Sequence, residues 1–573
     1  MKILKYAALP VIVVVIVIIL MTGGIRGTLK GKSSEALKGY YSSQRAAHLN
    51  ERGADLYIDD NLIAKTEYDV LFFSDEMKPY VPVDRLTRLF GCEVGMTGRD
   101  QLILVHKGMR ISTRIGGDTY VNGDAFYSGK DTLIMKDGRL LFDLRAFSEL
   151  LGYDYTISVT ERKLVITDKN NGPVYVPEKL PEAYSMPTEG RLTPVRSQGN
   201  LGTCWAFASI SALESYFMPD EENAFSPDHL LYNHGFNTGA GDGGDGKMAL
   251  AYFAAWKGPV YEEDDPYGDM QTDKSLEAVK HVQEAVMIPD DSIDTIKRMI
   301  LKHGGVASAF YSDIETDSES SAYYNAETGG YYYKGDEPAN HAVVIVGWDD
   351  NYPKESFNEE PQEDGAFLCM NSWGDTFGDS GFFYISYQDS RILSGGIVYT
   401  RADGPDNYDN IYQADLLGCI GSLGYKSEEV YFANVYTAGS DESLRAAAFY
   451  TLERSSEYEI YLVPEPSGEG EQGVDLSEAI FLKSGTIALP GYHTVDFWYE
   501  EKLAAGTDFA ILVRLKTPGT ELPAAVEYDG STISQTADLT DGRGWISRDG
   551  KTFESTESVY GCNLCLKAFT DEK

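Results

Sequence analysis

The feature that most constrains the fold of this 573-residue chain is a short segment around one cysteine. A glycine-containing turn, Gly199–Gly202, leads into Cys204, and apolar residues then recur at helical spacing from Trp205 to Leu213. This pattern predicts a buried helix that begins at Cys204. Because unpaired amides and the dipole at a helix N-terminus stabilise negative charge, we expect them to lower the pKa of the Cys204 thiol.

Two polar residues downstream stand at the ends of apolar strands. His341 opens one strongly apolar run, and Asn371 follows another. A lone His or Asn in such a place is usually a packing residue, and a lone buried Cys is more often structural than reactive. Here, however, Gln198, Cys204, His341 and Asn371 occur as an ordered set, with His341 137 residues and Asn371 167 residues after Cys204.

This ordered set resembles the papain-like cysteine peptidases, across residues 188–402. In that family the His and Asn lie ~130–150 residues beyond the Cys, so His341 fits and Asn371 lies slightly further on. Shorter stretches extend the resemblance: Asp242–Gly244, Gly258–Val260, Asp265–Tyr267 and Gly378–Phe383. The resemblance implies an α+β catalytic domain with a helical and a β subdomain, and chemistry that needs no cofactor or metal.

The resemblance also implies a role for each residue. Cys204 is the nucleophile, paired as a thiolate with the imidazolium of His341, and Asn371 orients the His341 ring. Trp373 covers that hydrogen bond, while the Gln198 amide and the Cys204 N–H form the oxyanion hole. Residues expected to contact substrate are Gly243, Gly244, Asn340 and Trp373.

Three positions depart from the family pattern. Leu201 occupies the place, three residues before the nucleophile, where the family often has a Cys. Gly241 stands near the position of that Cys's usual partner, so the family's structural disulfide is absent. Thr203 replaces the usual Ser or Ala before the nucleophile.

The N-terminal segment differs in character from the rest of the chain. Lys2 and Lys5 precede the apolar run Ala7–Met21, a pattern typical of a secretory signal or a short membrane anchor. We expect residues 1–30 to be an uncleaved anchor with an extracellular catalytic body, or a secreted protein if this segment is cleaved. Residues 1–53 carry a net charge of +6 and the remainder −46, and the overall −40 excludes nucleic acid as a partner.

Residues 54–168 contain a weak duplication. The stretch Tyr80–Val94 and the stretch Leu141–Tyr155 each indicate a strand end, a short helix, a glycine that ends the helix, and another strand. This resembles the stalk domains of bacterial surface proteins, named after the N-terminal domain of copper amine oxidases. It implies a small α/β spacer without a copper site, because His106 has no ligand cluster around it. Residues 169–187 are predicted to be a linker.

The C-terminal residues 405–573 change to short alternating strands separated by glycine and proline turns, which predicts an all-β sandwich. This part resembles the lectin-like domain appended to some bacterial papain-like peptidases, and the resemblance implies cell-wall or host glycans as partners. The exposed tyrosines and aspartates fit a solvated face equally well. Cys562 and Cys565 form a C-x-x-C pair without a nearby His, which argues against a metal site.

The sequence therefore predicts a multidomain protein with an anchor, a duplicated stalk, a papain-like catalytic domain and a β-sandwich. The leading hypothesis is an extracytoplasmic cysteine endopeptidase that acts on proteins or peptides through an acyl-enzyme thioester. Two alternatives stay open. One is a cell-surface adhesin or glycan-binding protein with a non-essential peptidase fold, and the other is a thiol transpeptidase using the same nucleophile.

Overall fold

The computed structural model describes residues 43–168 and 180–572 with gaps. The gaps are residues 48, 52, 59–60, 65–70, 75–76, 98–99, 118, 122–123, 128–131, 137, 152, 160–161, 290–292, 316–318, 467–473, 475–478 and 541. The anchor expected at residues 1–30 and most of the expected linker lie outside the described residues. Over the described part of the chain, every helix is too short or too polar to cross a membrane.

The chain divides into two compact units, and the first comprises the residues up to Phe90 together with Lys107–Val174. One of its sheets has the order β12-β13-β1-β2, with β1 and β13 parallel, and another has the order β10-β11-β4-β3. Phe142 and Phe147 are fully buried between these elements. The elements of this unit are β1 Asp55–Ile58, β2 Asn61–Ala64, β3 Phe72–Phe73, β4 Pro79–Pro82, α1 Leu86–Phe90, β7 Met109–Arg114, β8 Thr119–Val121, β9 Asp124–Tyr127, β10 Leu133–Lys136, β11 Arg139–Asp143, α2 Leu144–Leu151, β12 Tyr153–Ser158 and β13 Lys163–Asp168.

The two copies of the predicted duplication have the expected elements, since strand, short helix and strand follow one another in each. The predicted stalk domain over residues 54–168 is, however, not one contiguous part of the first unit. Gly91–His106, which holds β5 (Glu93–Met96) and β6 (Gln101–His106), groups with the second unit. The physical reason is that β5 is hydrogen-bonded to Lys483 and Ser484 in a C-terminal strand.

The second unit begins with a mixed α and β region over residues 180–403. Its long helix α3 is buried on all sides from Trp205 to Ser215, and it packs against β19, β16 and β22. The elements are β14 Ala183–Ser185, α3 Cys204–Phe217, α4 Pro227–Asn233, α5 Gly246–Ala254, β15 His281–Met287, α6 Ile293–Lys302, β16 Val306–Phe310, β17 Tyr324–Asn325, β18 Gly330–Tyr331, β19 His341–Asp349, β20 Ala366–Met370, β21 Phe382–Ser386 and β22 Ile397–Asp403.

The expected linker of residues 169–187 ends too late. Ala183–Ser185 forms β14, which pairs antiparallel with Gly347–Asp349 of β19. Met186 is fully buried in the core of the same region. These residues belong to the fold because the sheet edge at β19 offers them hydrogen-bond partners.

The C-terminal region consists mainly of strands in two facing layers. One layer contains β29, β26, β35 and β23, and the other contains β32, β25, β30, β27 and β28. Phe432, Phe449, Ile511 and Val513 are buried between them, as expected of a β-sandwich. The strands are β23 Asn410–Tyr412, β24 Gly421–Leu423, β25 Glu429–Thr437, β26 Glu442–Thr451, β27 Ser456–Pro464, β28 Ile480–Ile487, β29 Gly491–Leu503, β30 Asp508–Lys516, β31 Ala524–Tyr528, β32 Gly544–Ser547, β33 Glu554–Ser555, β34 Cys562–Leu564 and β35 Leu566–Glu572.

One sheet runs from the mixed region into the C-terminal layers without a break. Its order is β17-β18-β21-β20-β19-β16-β22-β15-β29-β26-β35-β23. The joint is the antiparallel pair β15–β29, in which Glu284 lies opposite His493 and accepts a hydrogen bond from its ring at 2.9 Å. Arg401 of β22 forms a further ion pair with Asp496 of β29 at 2.6 Å.

Candidate active site

Two neighbouring strands place His341 and Asn371 side by side. β19 and β20 are antiparallel partners, His341 is the first residue of β19, and Asn371 directly follows β20. The Nε2 atom of His341 donates to Oδ1 of Asn371 at 2.8 Å. Because an amide oxygen only accepts, this bond assigns the proton to Nε2 and leaves Nδ1 free to accept one.

Aromatic rings enclose the His341 imidazole. The Trp373 ring stacks on it with centroids 4.6 Å apart and planes tilted by 29°. The Phe310 ring meets it edge-on with centroids 5.7 Å apart. His341 is therefore only 8% exposed, and its hydrogen bond to Asn371 lies away from bulk water.

Cys204 is the first residue of α3 and is half-exposed. It lines a cleft of about 390 Å³ together with His341. Gly244, Asn340 and Ala342 are part of the same lining. The predicted nucleophile, the predicted base and two of the predicted substrate-contacting residues thus share one open cavity.

Burial works against charge on either partner of the pair. It raises the pKa of the Cys204 thiol, although the backbone N–H groups of Ala342, Trp205 and Cys204 act in the opposite direction. It also lowers the pKa of His341 to about 4. The backbone amides therefore act on the pKa of Cys204 in the direction that the sequence predicts, but desolvation outweighs them and the net shift is upward.

Gln198 is not part of the lining of this cleft, and it is held in place by both ends of its side-chain amide. Its Nε2 donates to the Leu201 carbonyl at 2.7 Å, and its Oε1 accepts from the Ser372 hydroxyl at 2.6 Å. Its backbone N–H also donates to the Ser372 carbonyl at 2.8 Å. One Nε2 hydrogen is therefore committed to Leu201, and the other stays available to a ligand.

Tyr267 is a supporting residue whose role the sequence did not reveal. Its hydroxyl donates to the Gln198 carbonyl at 2.8 Å and contacts the Thr203 hydroxyl, also at 2.8 Å. Since the single phenolic hydrogen goes to Gln198, Thr203 is the donor to Tyr267. The only available signal was that Thr203 departs from the family pattern and that Tyr267 lies in a stretch resembling the family.

Gly243 and Trp373, the remaining predicted substrate-contacting residues, are not part of the cleft lining. Gly243 has a left-handed backbone with φ of +79°, which favours glycine. A Cβ atom on Gly244 would lie 2.4 Å from the Trp205 ring, so only glycine fits there. The Asn340 side chain is engaged with the backbone of Ser312 through bonds of 2.7 and 2.9 Å.

No group of three or more His, Cys, Asp or Glu side chains within the described parts of 43–168 and 180–572 is arranged to hold a metal ion.

Comparison with known proteins agrees with this geometry. Residues 180–397 match the family model described as "Papain family cysteine protease". They form a papain-family cysteine protease domain. Residues 411–570 match the model described as "Lectin like domain", so the protease domain is followed by a lectin-like domain.

Two curated relatives and one solved structure are similar to this chain. "Gamete and mating-type specific protein A" of Dictyostelium discoideum is 31% identical over 35% of this chain and 42% of that protein, and cathepsin K of Gallus gallus is 29% identical over 38% and 63%. The chain therefore spans between 42% and 63% of the length of these relatives. A structure of the cysteine protease and lectin-like domains of Cwp84, a surface layer associated protein of Clostridium difficile, is 27% identical and has a TM-score of 0.60. It covers 69% of this chain and 90% of that chain.

Proposed function

We propose that this chain is a cysteine endopeptidase that hydrolyses peptide bonds in proteins or peptides. The observation that carries the proposal is the 2.8 Å hydrogen bond between His341 and Asn371 at the cleft that Cys204 lines. This bond leaves Nδ1 of His341 as the proton acceptor that a thiol nucleophile requires. The papain-family domain match supports the same reaction class.

The reaction then proceeds in two balanced stages. Nδ1 of His341 takes the proton of the Cys204 thiol, and the sulfur attacks the substrate carbonyl carbon. The Cys204 N–H and the free Nε2 hydrogen of Gln198 stabilise the resulting oxyanion. The C–N bond breaks as His341 returns its proton to the leaving amine. Water, deprotonated by His341, then cleaves the thioester and releases the acid and the thiol.

The burial of Cys204 and His341 affects how their ion pair can form. A thiolate alone or an imidazolium alone is disfavoured in this site. Proton transfer from Cys204 to His341 creates both charges together, and their mutual attraction offsets the desolvation of each. We propose that the pair operates as one coupled unit rather than as a thiol with a low pKa of its own.

The decisive experiment is a substrate-profiling digest of a protein mixture by the wild type and by Cys204→Ala. We expect Cys204→Ala to lose cleavage by about 10⁴-fold or more, since nucleophile removal has effects of that size in other hydrolases. Cys419→Ala is the matched control, because Cys419 is also half-exposed but lies in the lectin-like domain. Cleavage by Cys204→Ala at the wild-type rate would refute the proposal.

We also propose that the protein acts outside the cytoplasm, with residues 1–30 as its anchor. Support comes from the basic and apolar N-terminus and from the surface layer association of Cwp84. N-terminal sequencing of the mature protein from membrane and medium fractions tests this. An intact Ala7–Met21 segment in the membrane fraction supports an anchor, and recovery in the cytoplasm contradicts the location.

The lectin-like match supports glycans as a further class of partner. Binding of the Cys204→Ala protein to purified cell-wall polysaccharide tests this without proteolysis of the sample. Binding no stronger than that of an unrelated acidic protein would favour a solvated face.

Two assays separate the endopeptidase from the remaining alternatives. An epoxide inhibitor that labels Cys204 in the folded protein, and not after denaturation, argues against an adhesin with an inactive site. Product analysis with added amines tests the transpeptidase, since exclusive hydrolysis excludes acyl transfer.

A further inference from the structure

The segment that carries the cleft glycines, residues 235–246, has little structure of its own. Six of its twelve residues are glycine, and every one is exposed or half-exposed. It has no helix or strand before Gly246. Glycine-rich backbone loses much conformational entropy on ordering, so contacts from elsewhere must hold this segment in place.

On one side the segment contacts the loop that precedes the nucleophile. The Gly202 N–H donates to the Ala240 carbonyl at 3.2 Å. A Cβ on Gly202 would lie 3.3 Å from the Gly241 carbonyl, so the two backbones are in close contact. Asp242 closes the turn by accepting from the Gly239 N–H at 2.8 Å. Leu201 and Gly241 lie at this contact, so the family's disulfide does not link the segment to the loop here.

On the other side the segment contacts a loop of the lectin-like domain, residues 531–537. The Asn237 backbone N–H donates to the Ile533 carbonyl at 2.9 Å, and its side-chain Nδ2 donates to the Thr532 carbonyl at 3.1 Å. The Thr536 hydroxyl donates to the Gly235 carbonyl at 2.7 Å. Three hydrogen bonds therefore join residues almost 300 positions apart in sequence.

The lectin-like loop is closed by hydrogen bonds of its own. Ser534 is buried, and its hydroxyl accepts from the N–H groups of Gly530 and Ser531 at 3.2 Å. A loop that is closed in this way offers hydrogen-bond partners to a glycine-rich neighbour that has few within itself.

We propose that loop 531–537 of the lectin-like domain is a positioning element of the protease cleft. It holds residues 235–240, and through them the cleft wall at Gly244, while Gly202 holds the opposite side. The lectin-like domain would thus be part of the protease's substrate-binding apparatus as well as a possible glycan module. This inference rests on the proposed function for its catalytic consequence, but its structural consequence can be measured without any activity.

The test uses the full chain with the double substitution Asn237→Ala and Thr536→Val, which removes two of the three hydrogen bonds. We expect amide hydrogen exchange in residues 235–246 to become about tenfold faster or more, since two of the three hydrogen bonds to the loop are removed. We also expect KM for a peptide substrate to rise several-fold while kcat, normalised to titrated active sites, changes little. His341 and Asn371 are untouched, so the chemical step itself is preserved.

Thr532→Val is the matched control, because it alters the same loop but keeps the Thr532 carbonyl that accepts from Asn237. Ser534→Ala is a second route to the same effect, since it loosens the loop from the lectin-like side. Unchanged exchange at 235–246 in the double variant overturns the inference, and so does faster exchange with unchanged KM. A wild type that cleaves no peptide would refute the proposed function instead, and the exchange result would still decide this inference.

Discussion

His341 is controlled by three neighbours that act on different properties of its ring. Asn371 sets the tautomer through a 2.8 Å hydrogen bond, and Trp373 fixes the plane by stacking at 4.6 Å. The surrounding burial, to which Phe310 contributes, lowers the pKa to about 4. The neutral imidazole with a free Nδ1 is thus the resting form over most of the physiological range, which is the form that accepts a thiol proton.

The first prediction concerns the pH dependence of thiol alkylation. In the wild type, the rate of inactivation by iodoacetamide should rise through the pH range near 4 in which His341 loses its proton, and then level off. In His341→Ala the thiol has no partner, and burial raises its pKa, so alkylation should require alkaline pH. The measurement is the second-order rate constant from pH 3 to 10, and superimposable profiles would contradict the coupled pair.

The second prediction contrasts two glycines near the cleft. Gly244→Ala should lower kcat/KM and stability, because its Cβ would lie 2.4 Å from the Trp205 ring behind the nucleophile. Overpacking of this kind costs typically about 1–3 kcal/mol. Gly241→Ala is the control, since a Cβ there meets no atom within 4 Å. Equal effects of the two substitutions on peptide hydrolysis and on thermal unfolding would contradict this account.

Among the secondary-structure elements, the local sequence pattern predicts those whose formation does not depend on a distant partner strand. The helix that begins at Cys204 and the strand that begins at His341 both start where expected, because a glycine turn and apolar periodicity mark them. The strand Ala183–Ser185 lies in a segment that the sequence predicts to be a linker, because nothing in these three residues themselves indicates their pairing with β19. The pairing of β15 with β29 likewise has no signal in the sequence, since Glu284 and His493 are 209 residues apart.

In the candidate site, too, features marked by the sequence differ from features that depend on distant contacts. Cys204, His341 and Asn371 were predictable because residue type, order and spacing together identify a family. The net pKa shift of Cys204 was not, because the balance between helix amides and desolvation depends on how the cleft is packed. Tyr267 was missed for a similar reason, since its role consists of two hydrogen bonds to distant backbone and hydroxyl groups.

A third prediction concerns the small sheet β24-β31-β34 of the lectin-like domain. Glu527 on β31 is buried, and desolvation raises its pKa to about 7. Between the ordinary pKa of a glutamate and pH 7, the Glu527 carboxyl group is ionised in the unfolded chain but protonated in the folded chain. The free energy of unfolding therefore falls as the pH rises through this range. Glu527→Gln should remove that loss and stabilise the protein at pH 8 by up to about 3 kcal/mol.

The measurement is chemical unfolding at pH 4 and pH 8. Glutamine keeps an oxygen for the Leu417 N–H, which Glu527 accepts at 2.6 Å, so the contact itself is retained. Glu521→Gln, at an exposed position of the same domain, is the control and should change stability little at either pH. A gain at pH 4 as large as that at pH 8 would contradict the assigned cause.

At the scale of the whole molecule, the negative charge opposes compactness, while ion pairs and a continuous sheet join the protease and lectin-like domains. The residues beyond the basic N-terminus carry a net charge of −46, and self-repulsion within such a body favours solubility while opposing compactness. A cationic side chain lies where the protease and lectin-like domains join. Arg401 of β22 forms an ion pair with Asp496 of β29 and another with Asp403 of its own strand. Backbone pairing of β15 with β29 makes the two domains one hydrogen-bonded structure.

The last prediction follows from that joint. A Cβ on Gly491 would lie 2.1 Å from the Ala285 carbonyl, so Gly491→Ala should force β29 away from β15. Because one sheet serves both domains, we expect strands β19 and β30 to lose stability together, by about 1–3 kcal/mol, in hydrogen exchange measured against urea. Gly439→Ala, whose Cβ meets only ordinary contacts at 3.6 Å, should leave both strands unchanged. Destabilisation of β30 alone would show that the lectin-like domain unfolds independently of the protease domain.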